Sequence, residues 1–551
     1  MHTVNGIGVG RGVAVGPVKR MAEPLAEPTA APRSTDADAE RSAAIAALDA
    51  VAAELTARGD AAGGTAKEVL AAQALMAADP AIVKGVSARI DGGVTAERAV
   101  FEAFGEFQKL LEGLGGYQAE RVADLADVAQ RTIAHLRGVP MPGVPESDTP
   151  FVLIARDLAP ADTALLSDSV LALVTAEGSL TSHTAIVARA RGIPAIVGAA
   201  GVLEIPADTV VVVDAAQGVV TVDPDVAALA GAEAAADRAR AIAAAPVTAG
   251  ALADGTPVPL LANLGSAEEA ATAVELGAEG VGLFRTEFLF LDRDSAPTVQ
   301  EQTEVYSRVL QAFGGRKVVA RVLDAGADKP LAFLSPGDEE NPALGVRGIR
   351  ALRANEAVLR DQLSALVAAQ EASDAELWVM APMVSDAEEA DYFVTLAKAF
   401  GVKVAGVMAE VPSIALLAPE VARVSDFVSI GTNDLTQYTL AADRLLGSVS
   451  HFQDPWHPAV LRLIKLIGDA GRDAAKPVGV CGEAAADPLL AVVLVGLGVS
   501  TLSMTPAALA DVRASLLEHT LTEAHGLAAA ALAQSSAGEA REAVRELIAA
   551  R

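Results

Sequence analysis

One histidine of the sequence lies in a context that suits phosphoryl chemistry. His183 belongs to the segment Gly178-Ser-Leu-Thr-Ser-His183-Thr-Ala-Ile-Val-Ala-Arg189, where either Thr181 or Ser182 can cap a helix beginning near the histidine. The free amides at a helix N-terminus favour an anion, and a neutral imidazole offers a ring nitrogen as phosphoryl acceptor at pH 7. A histidine after a helix cap is more often structural, so this segment alone leaves both interpretations open.

A second set of reactive side chains lies at or just after the carboxyl ends of the predicted strands in the second half of the chain. The set combines arginines, carboxylates, an asparagine and the only cysteine: Arg285, Glu287, Arg321, Asp324, Glu410, Asn433, Asp434, Cys481 and Glu483. Arginine matches phosphate and carboxylate oxygens, and Mg²⁺ prefers one or two carboxylates together with substrate phosphate oxygens. The set therefore predicts a phosphorylated small substrate bound with a divalent metal. For any single member, a surface ion pair is the simpler alternative.

The elements that position this second set repeat as strand and helix over residues 250–551. The predicted strands are 258–263, 281–285, 318–323, 377–382, 404–410, 427–430, 478–481 and 501–504. Eight such units in about three hundred residues are typical of a (β/α)8 TIM barrel, whose catalytic groups gather at the carboxyl ends of the strands. The sequence therefore predicts a C-terminal barrel with its site on that rim.

The histidine is predicted to lie in a separate α/β domain made of residues 1–23 and 138–223. Short β-branched runs alternate with helical pieces after residue 150, and the early strand around 9–15 most simply joins the same sheet. This arrangement makes the intervening segment an insertion.

The inserted segment, residues 24–137, has an all-helical pattern. Ile45, Leu48, Val51 and Leu55 are predicted to share one apolar helix face, and Gly- or Pro-containing breakers divide the segment into helical hairpins. Residues 224–249 are predicted as a linker helix with its flanking loop, which would serve as a hinge between the histidine domain and the barrel.

Composition excludes several classes of protein. Among 551 residues, Lys and Arg total 42 against 71 Asp and Glu, a formal charge of −29, which repels nucleic-acid phosphates but could steer a basic protein partner. The longest uncharged apolar run, around 489–499, is shorter than the ~20 residues of a membrane span, and residues 1–16 lack signal-peptide features. With one cysteine, Cys481, we expect a cytoplasmic protein without membrane insertion.

Three segments resemble signatures of the phosphoenolpyruvate (PEP)-utilising enzymes. The His183 segment is similar to their phosphohistidine signature, and Gly282-Leu-Phe-Arg285-Thr-Glu-Phe-Leu-Phe-Leu-Asp-Arg293 resembles their phosphate-binding stretch. Asp426-Phe-Val-Ser-Ile-Gly-Thr-Asn433-Asp434-Leu-Thr-Gln-Tyr-Thr-Leu-Ala-Ala-Asp-Arg444 is similar to their second signature. The order of segments covers essentially the whole chain and resembles the Enzyme I family of the sugar phosphotransferase system, the PEP–protein phosphotransferases.

The resemblance implies a role for each residue. His183 would take the phosphoryl group of PEP, on Nε2, and pass it to a histidine of the phosphocarrier protein HPr, while Cys481 would protonate the enolate to give pyruvate. The residues implied for PEP binding are Arg285, Arg321, Asn433, Asp434 and Arg444, and those implied for Mg²⁺ are Glu410 and Asp434. The family also implies that the helical insertion docks HPr and that the barrel forms a homodimer.

One position departs from the family pattern, and two alternatives stay open. Ser179 follows Gly178 where the family has Gly or Ala; serine is small enough for the loop to close around the histidine. A pyruvate phosphate dikinase or PEP synthase would need a nucleotide-binding domain, whereas the residues before the phosphohistidine domain are mostly helical insertion. A non-catalytic scaffold would be expected to have lost part of the residue set, which is complete here.

Overall fold

The structure, a computed structural model, consists of two compact units, Met1–Arg240 and Ala241–Arg551. It describes residues 1–10, 12–21, 25–30, 32–33, 36–62, 64–114, 122–139, 143–145, 147, 149–158, 162, 166–167, 169–178, 182–291, 293, 295–325, 331, 333–334, 339–444, 446, 449 and 452–551. The boundary between the units falls inside the helix Val226–Ala244, within the segment predicted as a linker.

The described part of the first unit is built on an eight-stranded mixed sheet. Its strands are β1 (His2–Asn5), β2 (Ile7–Val9), β3 (Val13–Arg20), β4 (Phe151–Ala155), β5 (Val170–Thr175), β6 (Ala195–Val197), β7 (Val210–Asp214) and β8 (Val219–Val222), in the spatial order β1-β8-β7-β3-β4-β5-β6-β2. β3 and β4 pair in parallel, with Val18 opposite Val152. Alternate side chains of the strands form one apolar layer on each face of the sheet. The early strands thus join the α/β sheet, as predicted.

The segment between β3 and β4 is helical. Its helices are Ala37–Ala62, Gly64–Ala77, Pro80–Asp91, Ala96–Leu114 and Val122–Arg137. The third begins at the Pro-containing breaker Asp79–Pro80, because the Asp79 carboxylate accepts the amide of Ala81 at 2.7 Å and Pro80 needs no amide partner at the first position. The prediction of an all-helical insertion is confirmed.

The first helix of the insertion differs from its predicted packing at one position. Leu48, Val51 and Leu55 are buried in the core of the helical segment, but Ile45 is 36% exposed and Ala44 takes its place in that core. Positions 44, 48, 51 and 55 follow the helical period of 3.6, which carries position 45 off the buried face. The assignment of Ile45 to the buried face was therefore wrong.

The second unit is a closed barrel of eight parallel strands, all within the described residues. These are β9 (Leu260–Leu264), β10 (Val281–Phe284), β11 (Lys317–Arg321), β12 (Glu376–Ala381), β13 (Val404–Ala409), β14 (Val428–Ile430), β15 (Val478–Val480) and β16 (Thr501–Met504), with β16 paired to β9. Each overlaps a strand predicted from sequence. The TIM barrel is confirmed, and its strands are continuous apolar runs because a parallel sheet is covered on both faces.

Helices surround this barrel, and a smaller apolar cluster fills its interior. The helices are Glu269–Glu275, Val299–Ala312, Ile349–Ala354, Glu356–Glu371, Ala387–Ala399, Pro412–Leu416, Ala418–Val424, Thr432–Leu440, Pro458–Asp473, Pro488–Gly496, Leu509–Leu517, Leu521–Leu532 and Ala537–Ala549. The interior cluster consists of Leu283, Val319, Met380, Met408, Phe427 and Cys481.

Across the described ranges, no helix has both the length and the apolar composition needed to cross a membrane.

The contrast between Ile45 and Leu48 gives a test of the helical insertion. Leu48→Ala removes a fully packed side chain, so it should lower the free energy of unfolding by about 2–5 kcal/mol in scanning calorimetry. Ile45→Ala is the matched control, with an expected cost below about 1 kcal/mol. Equal costs for the two substitutions would contradict the observed packing of this helix.

Candidate active site

The barrel places the predicted side chains on one rim. Arg321 is the last residue of β11, and Arg285, Glu410 and Cys481 directly follow β10, β13 and β15. Asn433 and Asp434 lie in the first turn of the helix after β14, and Arg444 follows that helix. Parallel strands of a closed barrel all end on the same side, so the second set is brought together at the carboxyl rim.

Arg321 is held in the rim by two buried carboxylates. Its Nη2 lies 3.0 Å from Glu287 Oε1 and its Nη1 lies 3.2 Å from Asp324 Oδ2. Burial alone would lower the pKa of Arg321, but the surrounding carboxylates outweigh burial and hold this pKa above its ordinary value. The Nε–H of Arg321 is buried and has no protein acceptor within the described residues, so the protein leaves this donor unsatisfied.

A further arginine, Arg347, forms ion pairs with both Asp324 and Asp434. It is 4% exposed; its Nη2 lies 2.8 Å from Asp324 Oδ2 and its Nη1 lies 3.1 Å from Asp434 Oδ1. Burial would lower the pKa of Arg347, yet Asp324 and Asp434 raise it above the ordinary value. Arg347 therefore fixes the direction of Asp434, a residue predicted to contact both PEP and metal.

Sequence reasoning missed Arg347 because it follows no strand. It lies in the segment Gly345-Val-Arg347-Gly348, which precedes the helix Ile349–Ala354 and reaches back over the rim. Gly348 has φ +58°, and a Cβ there would come 2.7 Å from the Cβ of Met383, so this close approach needs glycine. An arginine flanked by glycines was the signal that could have identified it.

Glu410 and Asp434 form an acidic pair suited to a cation. Burial, together with the negative charges of Asp434 and Asp324, raises the pKa of Glu410 to about 8. The carboxylate accepts the backbone N–H of Met383 at 2.6 Å, and a Cβ on Gly431 would lie 2.8 Å from its Oε2, so the carboxylate fits closely. A divalent cation would offset this crowding of negative charge.

The described residues contain no group of three or more His, Cys, Asp and Glu side chains arranged to hold a metal ion. Mg²⁺ does not require one, because it commonly takes one or two carboxylates and completes its shell with water and substrate oxygens. The donor set of Glu410 and Asp434 therefore fits Mg²⁺ bound together with an anionic substrate.

Cys481 lies just below the rim in the apolar barrel interior. Its side chain is 3% exposed, and its Sγ lies 3.5 Å from the carbonyl oxygen of Ile430, to which it can donate. Burial raises the pKa of the Cys481 thiol to about 11. The next residue must be Gly482, because a Cβ there would clash with Thr432 Oγ1. The thiol thus keeps its proton at neutral pH and lies close to the rim.

The remaining predicted residues lie on the open side of the rim. Arg285 is exposed, and Arg444 is partly exposed with its Nη1 3.5 Å from Asp434 Oδ2. Asn433 Oδ1 accepts the backbone N–H of Glu483 at 3.1 Å, which orients its amide nitrogen away from that loop. These groups are accessible to an anion entering the barrel mouth.

His183 belongs to the first unit and begins the helix His183–Arg191, as predicted. Ser182 Oγ accepts the amide of Ala185 at 3.4 Å, so Ser182 serves as the cap, while Ser179, Thr181 and the His183 side chain lie outside the described residues. The neighbouring Thr184 is buried, and its hydroxyl donates to Asp157 Oδ1 at 3.1 Å. The two reactive sets therefore lie on separate units of the chain.

The raised pKa of Cys481 gives a measurable consequence. A thiolate is the reactive form, so at pH 8 a thiol with its pKa near 11 should alkylate on the order of a hundredfold more slowly than an ordinary thiol of pKa ~8.5. Alkylation of the native chain should accelerate as pH rises towards 11. The urea-unfolded chain is the control, and since it has one cysteine the signal is unambiguous. A native midpoint near 8.5 would contradict the burial described here.

The buried position of Arg347 predicts a large stability effect. Arg347→Met leaves Asp324 and Asp434 without their shared counter-charge and should destabilise the barrel by about 3–5 kcal/mol. Arg350→Met removes only bonds to backbone carbonyls and to Ser385, so its cost should stay below about 1.5 kcal/mol. Both tryptophans, Trp378 and Trp456, lie in the barrel unit, so urea titration followed by fluorescence reports on this unit. Equal costs for the two variants would refute the role given to Arg347.

Three family models match consecutive parts of the chain. The model for the N-terminal domain of PEP-utilising enzymes matches residues 5–121, the model for their mobile domain matches residues 148–218, and the model for their PEP-binding domain matches residues 240–521. The last of these covers the barrel and more than half of the chain.

The chain is also similar over most of its length to proteins named phosphoenolpyruvate-protein phosphotransferase. It is 53% identical to the one from Streptomyces coelicolor, with 99% of each chain covered, and 34% identical to the one from Bacillus subtilis, with 99% of this chain and 100% of the relative covered. It is 42% identical to the one from Haloferax volcanii, with 84% of each chain covered. From these matches and the rim described above, the chain belongs to the PEP–protein phosphotransferases, the Enzyme I family of PEP-utilising enzymes.

Proposed function

We propose that this transferase moves the phosphoryl group of PEP onto His183 and then onto a histidine of the phosphocarrier protein HPr. Pyruvate is the other product, and the reaction is the first general step of sugar uptake by the phosphotransferase system. The observation that carries the proposal is the rim itself: arginines, a pair of carboxylates and a protonated thiol lie together at the barrel mouth. Membership of the PEP–protein phosphotransferases supports this assignment.

The arginines of the mouth bind the phosphate of PEP. Arg285 and Arg444 are accessible there, whereas Arg321 is buried beside them with its Nη groups paired to carboxylates and its Nε–H unsatisfied within the described residues. Asn433 adds a neutral donor. Since phosphoryl transfer leaves little covalent work for the protein, these groups act by orienting the phosphate and offsetting charge on its oxygens.

Glu410 and Asp434 hold the metal ion. Enzymes of this family depend on a metal, and the oxygen donors present here suit Mg²⁺. When bound, Mg²⁺ offsets negative charge on the phosphate and carboxylate oxygens of the substrate. Arg347 keeps Asp434 in place while Gly431 leaves room for Glu410, so the chain itself holds the two carboxylates ready.

Cys481 completes the first half-reaction by donating a proton. As a nitrogen–phosphorus bond forms at His183, the bond between phosphorus and the enol oxygen of PEP breaks and leaves the enolate of pyruvate. The Cys481 S–H gives its proton to the methylene carbon, and the thiolate then regains a proton from solvent. A pKa near 11 suits this role because the thiol is almost fully protonated at pH 7 and readily regains its proton.

The helical insertion receives the phosphocarrier partner in the second half-reaction. Among its described side chains, Leu75 and Leu110 are large, apolar and more than half exposed, so a docking protein could cover them. The family resemblance supports HPr as this partner and a homodimer formed through the barrel. The single cysteine and the absence of a membrane-crossing helix from the described residues agree with a cytoplasmic location.

A labelling experiment tests the transfer. Incubation with PEP carrying labelled phosphate and Mg²⁺ should label the wild-type chain, whereas His183→Ala should remain unlabelled because it lacks the acceptor nitrogen. Chelation of the metal should also abolish labelling. His525→Ala removes an exposed histidine of the barrel unit and should be labelled as wild type.

The second half-reaction is tested by adding purified HPr to the labelled chain. The label should leave His183 and appear on HPr. Labelling of His183→Ala at the wild-type rate would contradict the proposed acceptor, and labelling of His183 from ATP without PEP would support a dikinase or synthase instead.

A further inference from the structure

A chain of fully buried polar side chains lies behind the two strand ends that carry Arg285 and Arg321. Its members come from the segment after β10, from the helix Val299–Ala312 and from the helix Glu356–Glu371: Thr286, Gln302, Tyr306 and Gln362, each 0–1% exposed. Buried polar groups of this kind are costly unless every hydrogen bond is made. None of them faces the barrel mouth, and the proposed chemistry uses none of them.

Gln362 is the centre of this chain, and its orientation is dictated by its neighbours. Its Oε1 accepts the backbone N–H of Leu323 at 2.9 Å, a group that can only donate. Its Nε2 therefore faces, and donates to, Thr286 Oγ1 and Tyr306 OH, both at 3.0 Å. The Tyr306 hydroxyl then donates to Gln302 Oε1 at 3.0 Å, which anchors the far end.

The end of this hydrogen-bonded series that lies nearest the rim, at Thr286, fixes the backbone of the rim. Having accepted from Gln362, the Thr286 hydroxyl donates to the carbonyl oxygen of Arg321 at 2.9 Å. Thr286 lies between Arg285, which is exposed at the mouth, and Glu287, which pairs with Arg321. One glutamine thus sets the direction of three consecutive residues after β10 and holds the end of β11 on both sides of Val322.

We propose that Gln362 is a positioning residue. It holds the ends of β10 and β11 at a fixed spacing, and this spacing allows Arg285 and Arg321 to bind the same phosphate group. Gln362 lies behind the strands and touches no substrate. It acts through Thr286 and through the backbone of Arg321 and Leu323. The inference rests on the proposed function, since it assumes that these two arginines bind the phosphate of PEP.

The test compares the dependence of the labelling rate on PEP concentration in matched variants of the full chain. Gln362→Met keeps the side-chain length but removes all three hydrogen bonds, and Thr286→Val keeps the shape of Thr286 but removes its hydroxyl. Each should raise the KM for PEP about ten- to a hundredfold, because small misplacements of binding groups have large effects. Thr286→Ser restores the hydroxyl and should return KM to within about threefold of wild type.

Gln370 provides the control on the same helix. It lies eight residues further along, where its amide donates to the carbonyl of Ala375 at 2.7 Å and accepts the N–H of Leu377 at 2.8 Å. These bonds hold the start of β12, at the opposite end of the barrel from the site. Gln370→Met should lower the urea midpoint of the tryptophan fluorescence transition but leave the KM for PEP unchanged.

The outcomes separate this inference from the proposed function. If the wild-type chain is labelled by PEP and Gln362→Met raises KM no more than Gln370→Met, or Thr286→Val behaves as Thr286→Ser, the chain of hydrogen bonds only stabilises the fold and the inference is wrong. If the wild-type chain takes no label from PEP, the proposed function fails and the inference fails with it. Should Gln362→Met not fold, the pair of Thr286 variants decides.

Discussion

The rim of the barrel depends on a balance of buried charge. Two buried arginines lie among four buried carboxylates, and with all four carboxylates ionised, as a bound cation would favour, the negative charges exceed the positive ones by two: Arg321 and Arg347 against Glu287, Asp324, Glu410 and Asp434. Buried charges are costly unless paired, so the arginines hold these carboxylates in fixed positions before a ligand arrives. A divalent cation would neutralise the excess, and the accessible arginines at the mouth would then meet the charge of the substrate. One electrostatic arrangement therefore accounts for both the metal and the phosphate.

The same burial governs the proton chemistry. The apolar barrel interior disfavours charge on Cys481 as it does on Glu410, so both pKa values rise. For the carboxyl group of Glu410, burial is the larger cause and the charge of Asp434 adds to it, and a bound cation would lower the pKa again. For the Cys481 thiol, the raised pKa means that the sulfur keeps its proton until the enolate carbon forms nearby and accepts it. Two perturbed groups thus take different roles from one physical cause, which is the low polarity beneath a charged rim.

Much of the fold and part of the site could be predicted from sequence because their signals are local. Apolar runs bounded by turns predicted the barrel strands, and reactive residues at the carboxyl ends of those strands, such as Arg285 and Glu410, had to lie on one rim. Arg347 was missed because it lies in a loop and not at a strand end. Its contacts with Asp324 and Asp434 join residues far apart in sequence, and no local pattern encodes such contacts. Gln362 likewise resembles any polar residue of a helix, and only packing shows that its amide reaches two strand ends. The prediction that Ile45 is buried was wrong because the helical period allows either position 44 or position 45 to share a face with Leu48, Val51 and Leu55, and only packing decides between them.

The central claim is that the phosphoryl group leaves PEP for the enzyme itself. Exchange of isotope between labelled pyruvate and PEP, measured without any phosphocarrier protein, tests this most directly because a phosphorylated enzyme can return its phosphoryl group to pyruvate. The account predicts exchange by the wild-type chain with Mg²⁺ and none by His183→Ala. Exchange that appears only once HPr is added, or that survives the loss of His183, would contradict it.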